Sequence, residues 1–503
     1  MQDAEKDITY DQRSRMRRRG ICVIVPTYNN AGTIRDVIER CKAQCHDVIV
    51  VNDGCTDGTG SILSAIEGIT VVTLPRNSGK GNALRQGFRK AMAMGFAYAV
   101  TIDADGQHFP EDIPLMLRAN VSNAEAIIVG ERKDLDSMER SGGSRFANAF
   151  SNFWFCVQTL RRLRDTQSGF RLYPLRKLHG LSLLTSRYEA ELELLVFAAW
   201  HGVRIVQTPV SVYYPPKEER VSHFRPGYDF MRISILNTIL CLLAVCYALP
   251  LALLRGALTA LRTAYALLFF LATCLFVLLP ATCAVMKRYR SGDRRTWKLH
   301  RLLYLVSRFT MIRHGIPGVR YTIRNPHGET FDKPAMIICN HQSSLDIMAM
   351  LALSPRIVIL TKDWVYNNPF FGLTLRHAEF HSVSMGTDKL MPKLRSLVSR
   401  GYSIMIYPEG TRSPDGSVLP FYQGAFWIAR ELDLDILPVV EHGPAMVLPR
   451  DARHLRRGFF RMTIDRRITP QECLAMGEVK DVRKWMRRYY IRRVDEECGR
   501  IYN

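Results

Sequence analysis

The chain has 503 residues, 69 of them lysine or arginine and 47 aspartate or glutamate, which gives a formal net charge of +22. This length exceeds one ordinary hydrophobic core and predicts two or three folded units, and the charge predicts an anionic partner: a phosphorylated substrate, an acidic membrane face or a nucleic acid. The twelve cysteines are scattered without metal-ligand spacing, which argues against a disulfide framework and indicates a reducing compartment.

The N-terminal segment, MQDAEKDITYDQRSRMRRRG, has no apolar stretch. We therefore predict a basic N-terminal arm over residues 1–19 in place of a cleaved signal peptide. From residue 21 to about 130, short apolar runs alternate with helical stretches, which is typical of a parallel sheet built from strand–helix–strand units. The expected first domain covers residues 20–230 and faces the cytoplasm.

Three polar motifs end the first, second and fourth strands of this predicted sheet: VPTYNN, NDGCTDGT and DADGQH. The carboxyl ends of parallel strands share one edge, where ligands bind. The carboxylates of Asp103 and Asp105 suit a hard divalent cation that bridges the two phosphates of a nucleotide sugar. Neutralising the leaving diphosphate makes the anomeric carbon of the sugar open to attack. Three such motifs in order predict a nucleotide-sugar site.

Residues 20 to about 230 resemble family 2 glycosyltransferases of the GT-A fold, close to the dolichyl- and polyprenyl-phosphate hexosyltransferases, through VPTYN, NDGCTDGT, RNSGKGNAL, DADGQH, GERKD and DTQSGFRLYP. The resemblance implies inverting sugar transfer to a lipid, with Mg²⁺ or Mn²⁺ on Asp103 and Asp105. Asp165 is the expected catalytic residue of this half. The resemblance further implies binding roles for Pro26, Tyr28, Asn29, Asp53, Lys80, Arg132 and Gln167. Asn30 and Asn52 replace acidic residues often found in the family, so the choice of nucleotide stays open.

Two uncharged apolar stretches follow, at residues 233–254 and 263–286. At about 1.5 Å per residue, each is long enough to cross a hydrocarbon core of roughly 30 Å. Basic residues flank the pair on both outer sides, with only Arg255 and Arg262 between the stretches. The positive-inside rule therefore predicts a helical hairpin over residues 231–290 with both ends in the cytoplasm. Whether the hairpin spans the membrane or is re-entrant stays open, since both arginines can snorkel.

Two segments beside this hairpin are basic or amphipathic. Residues 214–225, YPPKEERVSHFR, either grip a lipid phosphate or simply set the topology. Residues 297–313 form a predicted amphipathic helix that lies on the membrane surface or faces an ordinary core. The sequence leaves both pairs of alternatives open.

Apolar runs alternate with helical stretches again beyond residue 313, which predicts a second α/β domain within residues 291–503. The motif NHQSSLD follows one predicted strand, and YPEGTRS ends another. A histidine paired with a carboxylate accepts a proton from a hydroxyl group. Residues five apart on one helix point about 140° apart, so His341 and Asp346 meet only if His341 lies in the loop before the helix.

Residues 290 to about 450 resemble the glycerol-3-phosphate and lysophosphatidate acyltransferases through NHQSSLD, YPEGTRS, FYQGA and ILPV. The resemblance implies that His341 is the general base and that Asp346 orients it. It also implies an acyl thioester donor, either acyl carrier protein or acyl-CoA, and no covalent enzyme intermediate. The acceptor would be positioned by the second motif, at Glu409, Gly410, Thr411 and Arg412. The family usually has an acceptor-binding arginine where this chain reads HSVSMG, which argues against a phosphoglycerol acceptor.

We therefore predict a bifunctional enzyme of the bacterial cytoplasmic membrane, with a GT-A domain, a membrane hairpin and an acyltransferase domain, that adds a sugar and an acyl group to lipids. One alternative gives the two halves unrelated activities, the second being an ordinary lysophosphatidate acyltransferase. The other alternative is a basic scaffold or nucleic-acid-binding protein, for which the sequence holds no supporting motif. The sugar, the acyl chain and the acceptor are not specified by the sequence.

Overall fold

The computed structural model describes residues 12–121, 123, 125–133, 142–181, 183–214, 226–414 and 416–500. The described residues group into two compact units, one reaching to Arg255 and including the residues from Asp495 onward, the other running from Gly256 to Val494. Each unit contains one β-sheet with helices. The prediction of two α/β domains is therefore confirmed. The basic segment 215–225 and residues 1–11 lie outside the described residues.

The sheet of the first unit has seven strands: β1 (Ile21–Thr27), β2 (Val48–Asn52), β3 (Thr70–Thr73), β4 (Tyr98–Thr101), β5 (Ile127–Arg132), β6 (Arg171–Pro174) and β7 (Ile205–Val210). Their order is β3-β2-β1-β4-β6-β5-β7. All are parallel except β6, which runs antiparallel to β4 and β5. The loops after β1, β2 and β4 therefore leave from one edge of the sheet, which brings the three polar motifs together.

Helices cover both faces of this sheet, so β1 and β2 are buried along their whole length. Val23 and Val25 of β1 pack on one face, and Cys22 and Ile24 pack on the other. The helices of this unit are Gln12–Arg18, Ile34–Gln44, Thr59–Ser64, Lys80–Ala93, Pro110–Asp112, Ile113–Val121, Gly142–Thr159, Leu175–Leu178 and Glu189–Trp200.

A continuous helical backbone runs through the apolar region: Pro226–Leu243, Ala244–Ala248, Leu249–Thr273, Cys274–Leu278 and Leu279–Arg288. Within it, Met231–Arg288 is one helix of 58 residues that is long and apolar enough to cross a membrane. Pro250 and Pro280 each follow a π-helical turn. The wider turn relieves the clash that a proline ring makes with the carbonyl of the preceding turn.

The predicted hairpin turn between residues 254 and 263 is wrong. Residues 255–262, RGALTALR, lie inside the helix Leu249–Thr273. The segment has no proline and a single glycine, and its alanine, leucine and arginine residues are good helix formers. The Arg255 guanidinium also donates to the carbonyl of Trp200. The charge pattern suggested a turn here, whereas the residues between the two arginines favour a helix and are helical.

The sheet of the second unit has six strands: β8 (Val319–Arg324), β9 (Ala335–Cys339), β10 (Ile357–Ile359), β11 (Ser403–Ile406), β12 (Asp435–His442) and β13 (Gly458–Ile464). Their order is β10-β11-β9-β12-β13-β8. Strands β9 to β12 are parallel, and β13 is antiparallel to β12. Since β9 and β11 are parallel neighbours, NHQSSLD and YPEGTRS leave the same edge side by side.

The remaining helices are Asp293–Arg308, Phe309–Arg313, Asp346–Leu351, Asp363–Tyr366, Gly372–His377, Val383–Met385, Thr387–Ser399, Gly424–Glu431, Pro444–Val447, Pro470–Ala475 and Val479–Arg500. The first two of them cover the amphipathic helix predicted over residues 297–313, which was expected either to lie on a membrane surface or to face a core. Leu299 and Leu303 are buried in the core, whereas Leu305 and Phe309 are about half exposed. The helix therefore has a core-facing side and a second apolar side toward solvent.

Candidate active sites

The predicted sugar-site residues lie along the carboxyl edge of the first sheet: Pro26 in β1, Tyr28 and Asn29 in the next loop, Asp53 after β2, Lys80 at a helix start, Asp103 and Asp105 after β4, Arg132 at the end of β5, and Asp165 and Gln167 before β6. Because β6 is antiparallel, its beginning lies at the same edge as the ends of the other strands. The fold therefore collects all of these residues at one edge.

Two of these residues tie the loops of the site together. Both carboxylate oxygens of Asp53 accept backbone N–H groups, from Ser78 and from Gly79, each at 2.8 Å. Burial raises the pKa of Asp53 above its ordinary value. Asn29 has a left-handed φ of 54°, a conformation that asparagine tolerates better than most residues. Its side-chain oxygen accepts the N–H of Thr56 at 2.9 Å, which joins the first two motifs.

A half-buried ion-pair cluster occupies the centre of the site. The Lys80 ammonium lies 2.7 Å from Asp103 Oδ1 and 2.8 Å from Glu191 Oε2. Burial alone would lower the pKa of Lys80, but the two carboxylates outweigh burial and raise it. Burial would likewise raise the pKa of Asp103, and Lys80 outweighs burial and lowers it. The cluster therefore holds a charged lysine against a charged aspartate.

The second acid of the DADGQH motif, Asp105, has a raised pKa, whereas that of Asp103 is lowered. Asp105 Oδ1 accepts only the N–H of Gln107 among the described residues, at 3.0 Å. Burial and the neighbouring Asp103 carboxylate raise the pKa of Asp105 to about 6. Two crowded carboxylates suit a hard cation, which relieves their repulsion. Among the residues that the structure describes, no group of three or more His, Cys, Asp or Glu side chains forms a complete metal site, so a cation here needs ligands from the substrate phosphates or water.

The predicted sugar and acceptor residues form a second buried ion pair. Arg132 donates to both oxygens of Asp165, at 2.6 and 2.7 Å, and Asp165 has no exposed surface. Asp165 Oδ1 also accepts the N–H of Gln167 at 3.2 Å. Burial would lower the pKa of Arg132, but Asp165 raises it. In this geometry Asp165 reaches a substrate only through the guanidinium that it orients.

Sequence reasoning missed Glu191, which completes the Lys80 cluster. It belongs to the apolar helix Glu189–Trp200, in which Glu189, Glu191 and Glu193 are all buried. Acidic residues within an apolar helix are buried only when they are paired. Three glutamates in EAELELL were therefore a readable signal. Glu189 pairs with Arg232 at 2.6 Å, so not every such residue belongs to the site.

The second site is built around His341, which lies in the loop before the helix Asp346–Leu351. The ring Nδ1 of His341 lies 3.0 Å from Asp346 Oδ2. That same oxygen accepts the backbone N–H groups of Gln342 and Ser343, both at 2.7 Å. Asp346 is completely buried. The carboxylate is thus fixed by three contacts, and it in turn fixes the imidazole with Nε2 directed away from it.

The YPEGTRS loop packs against the same histidine. The ring of Tyr407 stacks on the His341 ring with a centroid distance of 4.1 Å. Glu409 accepts the backbone N–H of His341 at 3.0 Å and that of Leu419 at 3.0 Å. The Arg412 guanidinium donates to the Ser344 hydroxyl at 2.8 Å. The stacking of Tyr407 on His341 was not predicted from the sequence, although Tyr407 is the first residue of the YPEGTRS motif.

Glycine and threonine follow Glu409 in this loop. Gly410 has a left-handed φ of 64°, and a Cβ there would lie 2.9 Å from the ring of Tyr422. The left-handed backbone therefore favours glycine at this position, whereas the exposed Tyr422 ring could move away from a Cβ. Thr411 is half-buried between Gly410 and Arg412. The loop thus places a buried carboxylate and a partly exposed guanidinium on either side of a tight turn.

The protonation of Glu409 gives a pH prediction. Burial raises its pKa from 4.5 to about 7, so the folded protein binds this proton more tightly than the unfolded chain. Its contribution to stability is present below about pH 4.5 and is lost as the pH rises toward about 7. We expect the wild type to lose up to about 1.4 kcal/mol per pH unit relative to Glu409→Gln across this range. Unfolding of both proteins at several pH values measures this.

The exposed Glu431 provides a matched control for that experiment. The difference in stability between Glu431→Gln and the wild type should stay constant over the same pH range. A constant difference for Glu409→Gln as well would show that Glu409 ionises normally in the folded protein.

Comparisons with known proteins agree with this division into two sites. The chain matches the family model Glycosyl transferase family 2 over residues 22–171 and the model Acyltransferase over residues 320–441. It is 28% identical over 217 residues to the UDP-N-acetylglucosamine–dolichyl-phosphate N-acetylglucosaminyltransferase of Methanococcus voltae, covering 39% of this chain and 86% of that protein. It is 30% identical over 206 residues to the undecaprenyl-phosphate mannosyltransferase of Micrococcus luteus, covering 38% and 82%.

The second half is similar to a different group of enzymes. It is 33% identical over 129 residues to the putative 1-acyl-sn-glycerol-3-phosphate acyltransferase acl-2 of Caenorhabditis elegans, covering 24% of this chain and 46% of that protein. The chain thus spans about half the length of this relative.

Proposed function

The chain belongs to glycosyl transferase family 2 in its first half and carries an acyltransferase domain in its second. We propose that it is a bifunctional membrane enzyme that transfers a sugar from a nucleotide sugar to a lipid acceptor and an acyl group from a thioester to a lipid hydroxyl. The observation that carries this proposal is the placement of two complete motif sets. One set lies at the carboxyl edge of each sheet, and the two sheets belong to separate compact units. Each site therefore has its own scaffold.

In the first site, we assign the nucleotide sugar to the edge formed by the loops after β1, β2 and β4. Asp103 and Asp105 would hold Mg²⁺ or Mn²⁺, which when bound supplies positive charge to the leaving diphosphate. Lys80 is half-buried beside them and adds a second cation. Arg132, fixed by Asp165, faces the sugar or the acceptor phosphate. The acceptor oxygen forms its bond to the anomeric carbon as the diphosphate leaves, in a single inverting displacement.

In the second site, His341 acts as general base. Its Nδ1–H donates to Asp346, which leaves Nε2 free to accept the proton of the acceptor hydroxyl. The oxygen then forms an ester with the thioester carbonyl carbon, and the C–S bond breaks. The protonated imidazole returns its proton to the departing thiolate of acyl carrier protein or coenzyme A. Glu409 and Arg412 hold the loop that positions the acceptor.

The membrane assignment comes from the apolar helix. Met231–Arg288 is long enough to enter a bilayer, and many apolar side chains along it are exposed, among them Leu253, Leu261 and Phe276. Exposed apolar surface on this scale indicates contact with lipid. Basic residues dominate both flanks of this helix, and we place both flanks at the cytoplasmic face. This placement requires the helix to lie in the membrane interface or to bend, because a straight helix that crossed the bilayer once would put its flanks on opposite sides.

The direct test is reconstitution of the full-length protein in liposomes of bacterial lipids. A panel of nucleotide sugars and one labelled acyl thioester is supplied, and the lipid products are identified by mass spectrometry. The proposal requires one product heavier by a sugar and one heavier by an acyl chain. Consumption of neither donor by folded protein would refute it.

The acceptor of the acyl group gives a further prediction. The arginine expected for phosphate binding is absent near Ser384, which is exposed, and the neighbouring Ser382 hydroxyl donates to Asp363. Arg376 is occupied by the carbonyl of Tyr366 at 3.2 Å. A lost charge-assisted hydrogen bond is worth about 1.5–3 kcal/mol, or roughly ten- to a hundredfold in binding.

We therefore expect the acyltransferase site to prefer a hydroxyl of a glycolipid over lysophosphatidate. Competition between lysophosphatidate and the lipid product of the first site, for one labelled thioester, measures this preference. A clear preference for lysophosphatidate would make the second half an ordinary phospholipid-synthesis enzyme.

A further inference from the structure

Directly behind His341 and Asp346 lies a buried acid that neither motif contains. Glu441 belongs to β12, which pairs with β9 in the register Val439↔Cys339. The side chain of Asn340 donates to the carbonyl of Glu441 at 2.9 Å and accepts its N–H at 2.8 Å. Gln342 donates to the same carbonyl at 3.1 Å. The NHQSSLD loop is therefore fastened to the backbone of Glu441 at three points.

The side chain of Glu441 has no conventional partner. It is completely buried, and among the residues that the structure describes no N–H or hydroxyl group donates to either of its carboxyl oxygens. The Cys339 thiol, a weak donor, lies against it. The second oxygen of Asp346, Oδ1, is also buried and equally lacks a donor. The carboxyl groups of Glu441 and Asp346 lie next to one another. Two acceptor-only groups in contact, away from water, are strongly unfavourable unless a proton lies between them.

The groups that face Glu441 come from four elements. They are Asp346 from the helix Asp346–Leu351, Cys339 from β9, Tyr407 from the loop after β11 and Tyr321 from β8. None of these is a cation. Burial and the Asp346 carboxylate raise the pKa of Glu441 well above its ordinary value. Burial also raises the pKa of Cys339 and of Tyr407, so these groups remain neutral and add no charge.

We propose that Glu441 is a protonated carboxylic acid that donates to Asp346 Oδ1 and thereby positions the His341–Asp346 pair. This assignment extends the proposed acyltransferase function, because the pair that Glu441 supports is the assigned catalytic one. One carboxylate and one carboxylic acid then share a single negative charge. Asp346 Oδ2 keeps its contacts with the His341 ring and with the N–H groups of Gln342 and Ser343. Asp346 Oδ1 accepts its hydrogen bond from Glu441.

The shared proton also tunes the histidine. A hydrogen bond donated to Asp346 weakens the negative charge that Asp346 presents to the imidazole. Without that donor, Asp346 holds the protonated imidazole more strongly. The base-competent neutral form of His341 then requires a higher pH. Glu441 is thus a positioning residue whose loss changes the pH profile as well as the rate.

Infrared difference spectroscopy of the full-length protein in liposomes tests the protonation state without any substrate. The carbonyl stretch of a protonated carboxylic acid should persist in the wild type at a pH well above the pKa values of Glu409, about 7, and Asp105, about 6, where both of those groups are ionised. That band should be missing from Glu441→Gln and retained in the control Glu431→Gln. Identical carboxylic-acid bands in the wild type and Glu441→Gln would overturn the proposal. Because no acyl donor is used, this outcome is independent of the proposed activity.

The pH dependence of acyl transfer tests the positioning role. Replacing the donor with an apolar group in Glu441→Met should lower the rate by about ten- to a hundredfold and move the acidic limb of the profile to higher pH. Glu441→Gln restores a donor and should recover most of the rate with the limb in its original place. An acidic limb that stays in place in Glu441→Met would overturn the positioning role. An acidic limb that moves to lower pH in Glu441→Gln would overturn it as well, because that shift would mean that Glu441 is ionised in the wild type. If Glu441→Met does not fold, the Glu441→Gln profile and the infrared band still decide the question.

Discussion

We expect His341→Ala to lower acyl transfer by about 10²- to 10⁴-fold, the range that a general base contributes. Within the NHQSSLD loop, His341 is the side chain with a basic ring nitrogen, and a buried carboxylate fixes its imidazole at 3.0 Å. Its removal leaves Asp346 with its backbone contacts intact, so the loop should stay folded. Release of free thiol from the acyl thioester, in the presence of acceptor lipid, measures the loss.

The exposed His327 provides the control, because it lies outside both motifs. His327→Ala should retain the wild-type rate. A His341→Ala protein that kept more than about a tenth of the activity would show that the base is another residue.

The second large effect is expected at the first site. Asp105→Asn should lower sugar transfer by about a hundredfold or more, because a bound cation supplies several kcal/mol of charge stabilisation. Asparagine preserves the shape of the side chain while removing the carboxylate, whose pKa is raised by burial and by the neighbouring Asp103. Consumption of the nucleotide sugar measures the effect. Exhaustive chelation of the wild type should give the same loss, and added Mg²⁺ or Mn²⁺ should reverse it.

Asp36 provides the matched control for this substitution. It is an exposed aspartate on the helix Ile34–Gln44, paired with Arg40 at 3.3 Å, and such pairs contribute little. Asp36→Asn should therefore keep the full rate. Undiminished sugar transfer after chelation would contradict the assignment of a divalent cation to Asp103 and Asp105.

The features that the sequence predicted well are those set by short-range patterns. Continuous apolar runs such as ICVIV and AMIIC became buried central strands, because strands covered by helices on both faces leave no room for polar side chains. Polar motifs at the ends of such runs must then share one sheet edge. The loop position that His341 needs to reach Asp346 also follows locally, since the helix begins at Asp346 itself.

The features that escaped prediction depend on tertiary contacts or on competition between two signals. Residues 255–262 carry two arginines between apolar stretches, which suggested a turn, yet nothing in RGALTALR breaks a helix. Glu191 and Glu441 interrupt apolar runs, and each meets its partner across the chain, at Lys80 and at Asp346. The position of each glutamate within an apolar run was visible in the sequence, but its partner could be identified only from the fold.

The central claim is that two complete active sites operate independently, and one set of parallel assays tests it. The wild type, Asp105→Asn and His341→Ala are reconstituted in the same liposomes, which already contain the acceptor lipid of each reaction, including glycosylated lipid for the acyl transfer. All three proteins are checked for folding and assayed for both nucleotide-sugar consumption and thioester cleavage. Asp105→Asn should lose sugar transfer and keep acyl transfer, and His341→Ala should show the reverse. If either substitution silences both reactions in folded protein, the two sites are not independent.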